Sequence, residues 1–214
     1  MPAAMQATQL PASATTVPQH LAIIPDGNRR FARARGWDAS RAYRVGAEKM
    51  LDVVGWCIAR GVRRLSGFAL SRENLRNRPP HEVTGVLRAV EYFAAEVARR
   101  HGLRPHVVGD LTALAPHPEA ARLAALTGPP PPGRMALHVV VNHTPEQERE
   151  APTAVPRVDL VIRPGGGHRL SGFLPLHCAY AELWFCDRLW PAFTEGDLDA
   201  ALAWYRTQER TYGE

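Results

Sequence analysis

The sequence predicts a single α/β domain built around a mostly parallel sheet flanked by helices. Three observations carry this expectation. Short apolar runs alternate with longer stretches whose apolar residues recur at helical spacing. Three of those runs end in polar or glycine-rich segments, where open parallel sheets hold their ligands. The length of 214 residues, with 45% hydrophobic content, suits one core and not two.

Residues 1–19 are rich in Ala, Thr, Pro and Gln and lack both a basic n-region and an apolar core. They read as a flexible tail, not a signal peptide, leaving 20–214 as the domain. His20 to Ile24 is a first strand, broken by the turn-forming Pro25-Asp26-Gly27-Asn28. Arg29 to Arg35 supports one or two helical turns ended by Gly36. From Gly46 to Arg60, Met50, Val53, Val54 and Ile58 mark a helix with Gly61 as its C-cap. Val62 to Leu70 is a second strand, and Ser71 to Pro80 a polar connection. Val83, Val86, Leu87, Val90, Phe93 and Val97 then define a long amphipathic helix entered through Pro79 and Pro80. His106–Gly109, Ala136–Val141, Val158–Ile162 and Tyr180–Phe185 read as strands, and 118–126 and 196–205 as helices. The prolines between Gly128 and Gly133 mark a surface connection, and the stretch from His143 to Pro156 an irregular one.

The formal charge of +5 is carried almost wholly by arginine, since Lys49 is the only lysine. Arginine suits bidentate phosphate contacts, so an anionic partner is expected. The arginines are dispersed and not interleaved with stacking aromatics, which argues against a nucleic-acid binder. No apolar run approaches membrane-spanning length. Cys57, Cys178 and Cys186 share no metal-binding spacing and fit a reducing cytoplasm.

Three segments carry the chemistry. In Asp26-Gly27-Asn28-Arg29-Arg30 a carboxylate follows a strand at a helix start, an arrangement that suits a hard cation bridging to phosphate. An ordinary Asp-Gly turn with solvated arginines is the plainer reading. The run Arg163-Pro-Gly-Gly-Gly-His-Arg169-Leu-Ser171 offers glycines, two guanidiniums and a hydroxyl to an anion. It lacks the P-loop lysine and reads equally as a flexible loop. Ser71 to Pro80 can present Asn74 and Arg78 to a ligand, or simply cap a helix.

Together, HLAIIPDGNRRFARARG, FALSRENLRNRP, VDLVIRPGGGHRLSGFL and AYAELWF resemble the cis-prenyltransferases, the undecaprenyl diphosphate synthase family, over nearly everything after His20. The resemblance implies a homodimer of six-stranded parallel α/β subunits with an elongated apolar tunnel. It implies that Asp26 holds Mg²⁺ on an allylic diphosphate, helped by the backbone of Gly27, Asn28 and Arg29 and by Arg30. Arg163, Arg169 and Ser171 would bind the second diphosphate, and Ser71 and Asn74 would take part in proton removal. Arg78 matches the family's ENWxRP arginine if one inserted residue is allowed.

The chain also departs from the family's elongating members. Gly167 stands where they carry a glutamate, Arg29 and Phe31 where they have Gly and Trp, and Ala39 and Tyr43 where they have Arg and His. Leu75 replaces their Trp, and the helical stretch after Asn142 is shortened. These features, with Phe173-Leu174-Pro175-Leu176, resemble an irregular head-to-middle branch that includes cyclolavandulyl and isosesquilavandulyl diphosphate synthases. The implied reaction condenses geranyl or dimethylallyl diphosphate with dimethylallyl diphosphate to a branched lavandulyl-type diphosphate. The alternatives are a regular short-chain enzyme using isopentenyl diphosphate and a non-catalytic partner subunit. Tyr92 and Phe93 are candidates for the tunnel floor, or plain core. His168 is a candidate base, or an exposed loop histidine.

Overall fold

All six apolar runs form strands: β1 (His20–Ile23), β2 (Arg64–Ser71), β3 (Pro105–Val108), β4 (Ala136–His143), β5 (Leu160–Pro164) and β6 (Glu182–Cys186). The computed structural model describes residues 17–126, 128–129, 133–150 and 155–209. The strands pair in parallel throughout, in the order β3-β4-β2-β1-β5-β6. Central strands buried on both faces explain why their sequences are largely apolar, with Ser66 and His138 as buried polar exceptions. β1 and β5 are neighbours whose onward connections run to opposite sides, to β2 and β6. That switch point opens a crevice beyond the strands' carboxyl ends.

The helices are α1 (Asn28–Arg33), α2 (Ala39–Ala59), α3 (Arg72–Asn77), α4 (Pro80–His101), α5 (Pro118–Leu126), α6 (Pro145–Glu150) and α7 (Glu195–Tyr205). α4 starts with Pro80 in its first turn and ends at left-handed Gly102, with Arg99, Arg100 and His101 in its last turn beside the negative end of the helix dipole. It packs with α2 and α7 on one face of the sheet, against Leu21, Ile23, Leu65, Leu137, Val139 and Ile162. The other face, with Ala22, Phe68, Val140 and Val161, is covered by a thinner layer from Val155, Val158, Phe173, Leu174 and Cys178.

Three expectations need correction. α2 begins at Ala39, not Gly46, because Asp38 caps it by accepting from the Arg41 N–H at 3.0 Å. Gly46 lies inside that helix because a Cβ there would meet Asn28 Oδ1 at 2.5 Å and Trp190 Cδ1 at 3.1 Å. The polar stretch after β2 contains α3, and the one after β4 contains α6. Of the segment expected to be a tail, residues 17–19 are described: Val17 packs on the core, and the Gln19 carbonyl accepts from Arg63 and Arg64. The rest of that segment lies outside the described residues, as do Pro130–Pro132 and residues 210–214. Among the described residues no helix is long and apolar enough to cross a membrane, and the three cysteines are free thiols.

A polar row crosses the second face. His20 Nδ1–H reaches the carbonyls of Pro156 and Arg157 at 3.1 and 3.0 Å, so Nε2 accepts from Ser66 Oγ at 2.8 Å. Ser66 Oγ in turn lies 3.3 Å from His138 Nδ1. Burial pushes both imidazoles down to about 4. The unfolded chain protonates them near pH 6.5, while the folded chain resists until about 4. Their contribution is therefore full above pH 6.5 and lost as pH falls toward 4, by up to roughly 3 kcal/mol per histidine. Denaturant unfolding of wild type and His138→Gln between pH 7 and 4 should show a shallower decline in the variant. Parallel curves would contradict this account.

Candidate functional site

Asp26 is delivered by β1. The Ile24 N–H still pairs with the Ile162 carbonyl at 3.0 Å, after which the chain turns through Gly27 into α1. Gly27 has a φ of 108°, and a Cβ on it would lie 2.9 Å from Leu189 Cδ2, so the turn admits only glycine. Asp26 Oδ1 accepts from Arg30 Nη2 at 3.2 Å, and Oδ2 from Arg163 Nη2 at 3.0 Å. Arg30 Nη2 also donates to the Gly165 carbonyl at 2.7 Å.

Arg163, in β5, is only 3% exposed. Its Nη1 donates to Ser171 Oγ at 2.9 Å and to the Arg169 carbonyl. One guanidinium thus joins the two sequence segments 137 residues apart that were expected to hold two anions. Its Nε is buried without a partner, facing Gly167. A Cβ at Gly167 would stand 2.9 Å from both Nε and Nη2, so the absence of a side chain there is what admits the guanidinium. Ser171 adopts a left-handed φ of 54°, an uncommon conformation for a residue with a Cβ.

Ser71 ends β2 and caps α3, its Oγ accepting from the Asn74 N–H at 3.1 Å. The helix-capping reading of this segment therefore holds for Ser71, while Asn74 lines the cavity. Arg78 Nη1 donates to the Tyr43 hydroxyl at 3.2 Å, and that hydroxyl lies 3.2 Å from Glu82 Oε2. Arg29 Nε is 3.4 Å from the same carboxylate oxygen. Burial pushes the Tyr43 phenol above its ordinary value. The Asn28 side chain turns under α1: Nδ2 donates to the Pro25 carbonyl at 3.0 Å, and Oδ1 is buried without a partner. Only its main chain is disposed toward an anion.

These groups surround a cavity of about 1080 Å³ between the sheet edge, α2 and α4. Its mouth carries Arg29, Arg30, Arg33, Arg72, Arg76, Arg78, Arg163 and Arg169 against Asp26, Glu73 and Glu146. Its depth is walled by Ala47, Met50, Leu70, Val86, Val90, Phe93, Leu137 and Val139. A charged mouth above an apolar chamber matches an amphiphile with an anionic head. Phe93 is in this wall, whereas Tyr92 turns away to Glu48 under the Arg44 guanidinium. His168 packs tilted against Phe185, with centroids 4.8 Å apart, and is not in the lining. Arg33, Arg72, Arg76 and Glu146 were not singled out in the sequence, because isolated charges beside helix ends read as solvated.

Among the described residues no three His, Cys, Asp or Glu side chains gather to hold a metal. Asp26 nevertheless fits a hard cation of the Mg²⁺ kind, which typically takes one or two carboxylates and completes its shell with substrate phosphate and water.

The chain matches the family described as putative undecaprenyl diphosphate synthase over residues 24–149 and 146–213. It is 33% identical to a short-chain Z-isoprenyl diphosphate synthase of Mycobacterium leprae, covering 96% of this chain and 91% of that one. It is 32% identical to a (2Z,6E)-farnesyl diphosphate synthase of Mycobacterium tuberculosis, covering 95% and 91%. Among solved structures, lavandulyl diphosphate synthase from Lavandula x intermedia, in complex with dimethylallyl diphosphate, superposes with a TM-score of 0.77 at 25% identity, over 93% of this chain and 99% of that one. Fold and sequence agree: the chain belongs to the cis-prenyltransferase family, whose members are prenyltransferases of the undecaprenyl diphosphate synthase type.

Proposed function

We propose that this prenyltransferase joins an allylic diphosphate, geranyl or dimethylallyl, to dimethylallyl diphosphate head-to-middle, giving a branched lavandulyl-type product such as isosesquilavandulyl diphosphate. The observation that carries this reading is the Arg163 guanidinium lying over Gly167. At the position where an elongator of the family would carry an acidic side chain, Gly167 leaves room for the buried Arg163 guanidinium, which reaches both Asp26 and Ser171. That changes how two diphosphates are held relative to each other, and so which carbons meet. The likeness to a lavandulyl diphosphate synthase supports the same reading.

In this reading Arg29 and Arg30 receive the allylic diphosphate beside Asp26, and Arg163, Arg169 and Ser171 receive the second. The main chain of Gly27 and Asn28, with Arg78, completes the first site. Asp26 would hold a divalent cation such as Mg²⁺, which would supply neutralising charge for the leaving diphosphate. The allylic carbon–oxygen bond breaks with its electron pair going to diphosphate, and Arg29 and Arg30 stabilise the charge that develops there. The alkene of the second substrate supplies the electrons of the new carbon–carbon bond. A tertiary cation results and loses one proton. Ser71 and Asn74 orient the released diphosphate or a water that accepts the proton. The apolar wall excludes water from the cation. A homodimer is part of the proposal, supported by exposed Leu176, Tyr180 and Leu183 at and near the sheet edge β6.

The mycobacterial relatives favour a second reading, a regular short-chain enzyme that adds isopentenyl diphosphate. Purified protein given Mg²⁺ and dimethylallyl diphosphate, alone and with geranyl or isopentenyl diphosphate, separates the two. A branched alcohol recovered after dephosphorylation without isopentenyl diphosphate is expected. Linear products formed only with isopentenyl diphosphate would establish the regular enzyme instead.

Arg30→Ala removes a charge-assisted donor of about 1.5–3 kcal/mol and should lower kcat/KM by one to two orders of magnitude. Unchanged steady-state kinetics would exclude the assigned role. Phe93→Ala deepens the apolar chamber, so kcat/KM for a fifteen-carbon allylic diphosphate should rise relative to that for a ten-carbon one. Competition between the two substrates measures that ratio.

A further inference from the structure

Glu82 is an anomaly in a region otherwise built to attract anions. It sits in the first turn of α4 with its side chain 13% exposed, behind a wall whose cavity face is cationic. A carboxylate so placed repels any diphosphate that enters, and the repulsion grows as water is excluded. What it contacts explains its presence. Oε2 lies 3.4 Å from Arg29 Nε and 3.2 Å from the Tyr43 hydroxyl. That hydroxyl accepts from Arg78 Nη1 at 3.2 Å, so its own proton is directed to Glu82. One oxygen thereby ties α1, α2, α4 and the α3–α4 connection, and both arginines it restrains line the cavity. Arg78 keeps its buried Nε without a partner. That is a donor held ready, since an unmet buried N–H gains most from an incoming acceptor.

We propose that Glu82 and Tyr43 are positioning residues that hold Arg29 and Arg78 against the cavity for a substrate diphosphate. The proposal rests on the diphosphate reading above and concerns how that site is built. Glu82 fixes Arg29 directly and fixes Arg78 through the Tyr43 hydroxyl. Two long, rotamer-rich side chains are thereby ordered before substrate arrives, at the cost of one nearby negative charge.

The sign of one measurement decides it. If Glu82 were only a neighbouring charge, Glu82→Gln would tighten anion binding. If it positions the arginines, the same change weakens binding although a repulsive charge has been removed. Calorimetric titration of the full chain with inorganic pyrophosphate should show affinity reduced about ten-fold in Glu82→Gln and several-fold in Tyr43→Phe. The double variant should lose no more than Glu82→Gln alone, because both act along one connected path. KM for the allylic diphosphate should rise in parallel while the thermal midpoint stays near that of wild type, and Glu82→Asp should recover part of the loss. Equal or tighter pyrophosphate binding by Glu82→Gln overturns the proposal, as does full additivity in the double variant. Wild-type protein that does not bind pyrophosphate would overturn the diphosphate reading itself, and this proposal with it.

Discussion

A guanidinium removed from water must be met on its donor edges, and Arg163 imposes that requirement on everything near it. One edge is met by Asp26, which β1 must therefore deliver to the same height as β5. Another is met by Ser171 and the Arg169 carbonyl, which bend the following loop back over the strand end. The loop makes that return through Gly165 and Gly166, both at positive φ, and through Ser171 in the same region. A Cβ on Gly165 would press on the Asp26 carbonyl at 2.8 Å, and one on Gly167 on Arg163 itself. The glycine run thus makes room for three different neighbours, the Asp26 carbonyl with Arg30 at Gly165, Asp187 at Gly166 and the Arg163 guanidinium at Gly167, and leaves the donors of the candidate site already oriented.

Much of this was legible in the sequence, because strands buried on both faces are largely apolar and α4 repeats its apolar residues at helical spacing. The start of α2 was hidden by Gly46, which reads as a boundary until Trp190 is seen donating to its carbonyl at 2.9 Å. α3 was hidden because it buries no residue, leaving only the Ser71 cap as a signal. At the site, Asp26, Arg163 and Ser171 were found through their segments. Glu82 was not, since an acid in the first turn of a long helix reads as a partner for the helix dipole. Nor does periodicity separate Tyr92 from Phe93. They are adjacent, and a rotation of about 100° sends one to the cavity and the other to Glu48.

The second layer is tied to the sheet through α6. α6 is brief, yet its Glu148 is buried and pairs with His143 at 2.9 Å, while its second oxygen accepts from the Leu176 N–H at 2.9 Å. This polar clip holds the 172–178 turn across the sheet, where Phe173 meets Phe68 at 5.0 Å between centroids. The same turn continues from the loop that contacts Arg163, so support for the second face and the candidate site share one stretch of chain.

The adjacency of β1 and β5 also sets an order of assembly. Asp26 and Arg163 are 137 residues apart, and β2, β3 and β4 emerge from the ribosome between them. Until β5 is made, β1 has an open edge where β5 belongs and Asp26 lacks its Arg163 partner. Assembly of the candidate site therefore requires β5 to insert beside β1 after β2, β3 and β4 have been made, a closure of high contact order. Truncation products ending before β5 would leave that edge of β1 unpaired and open to pairing with other chains.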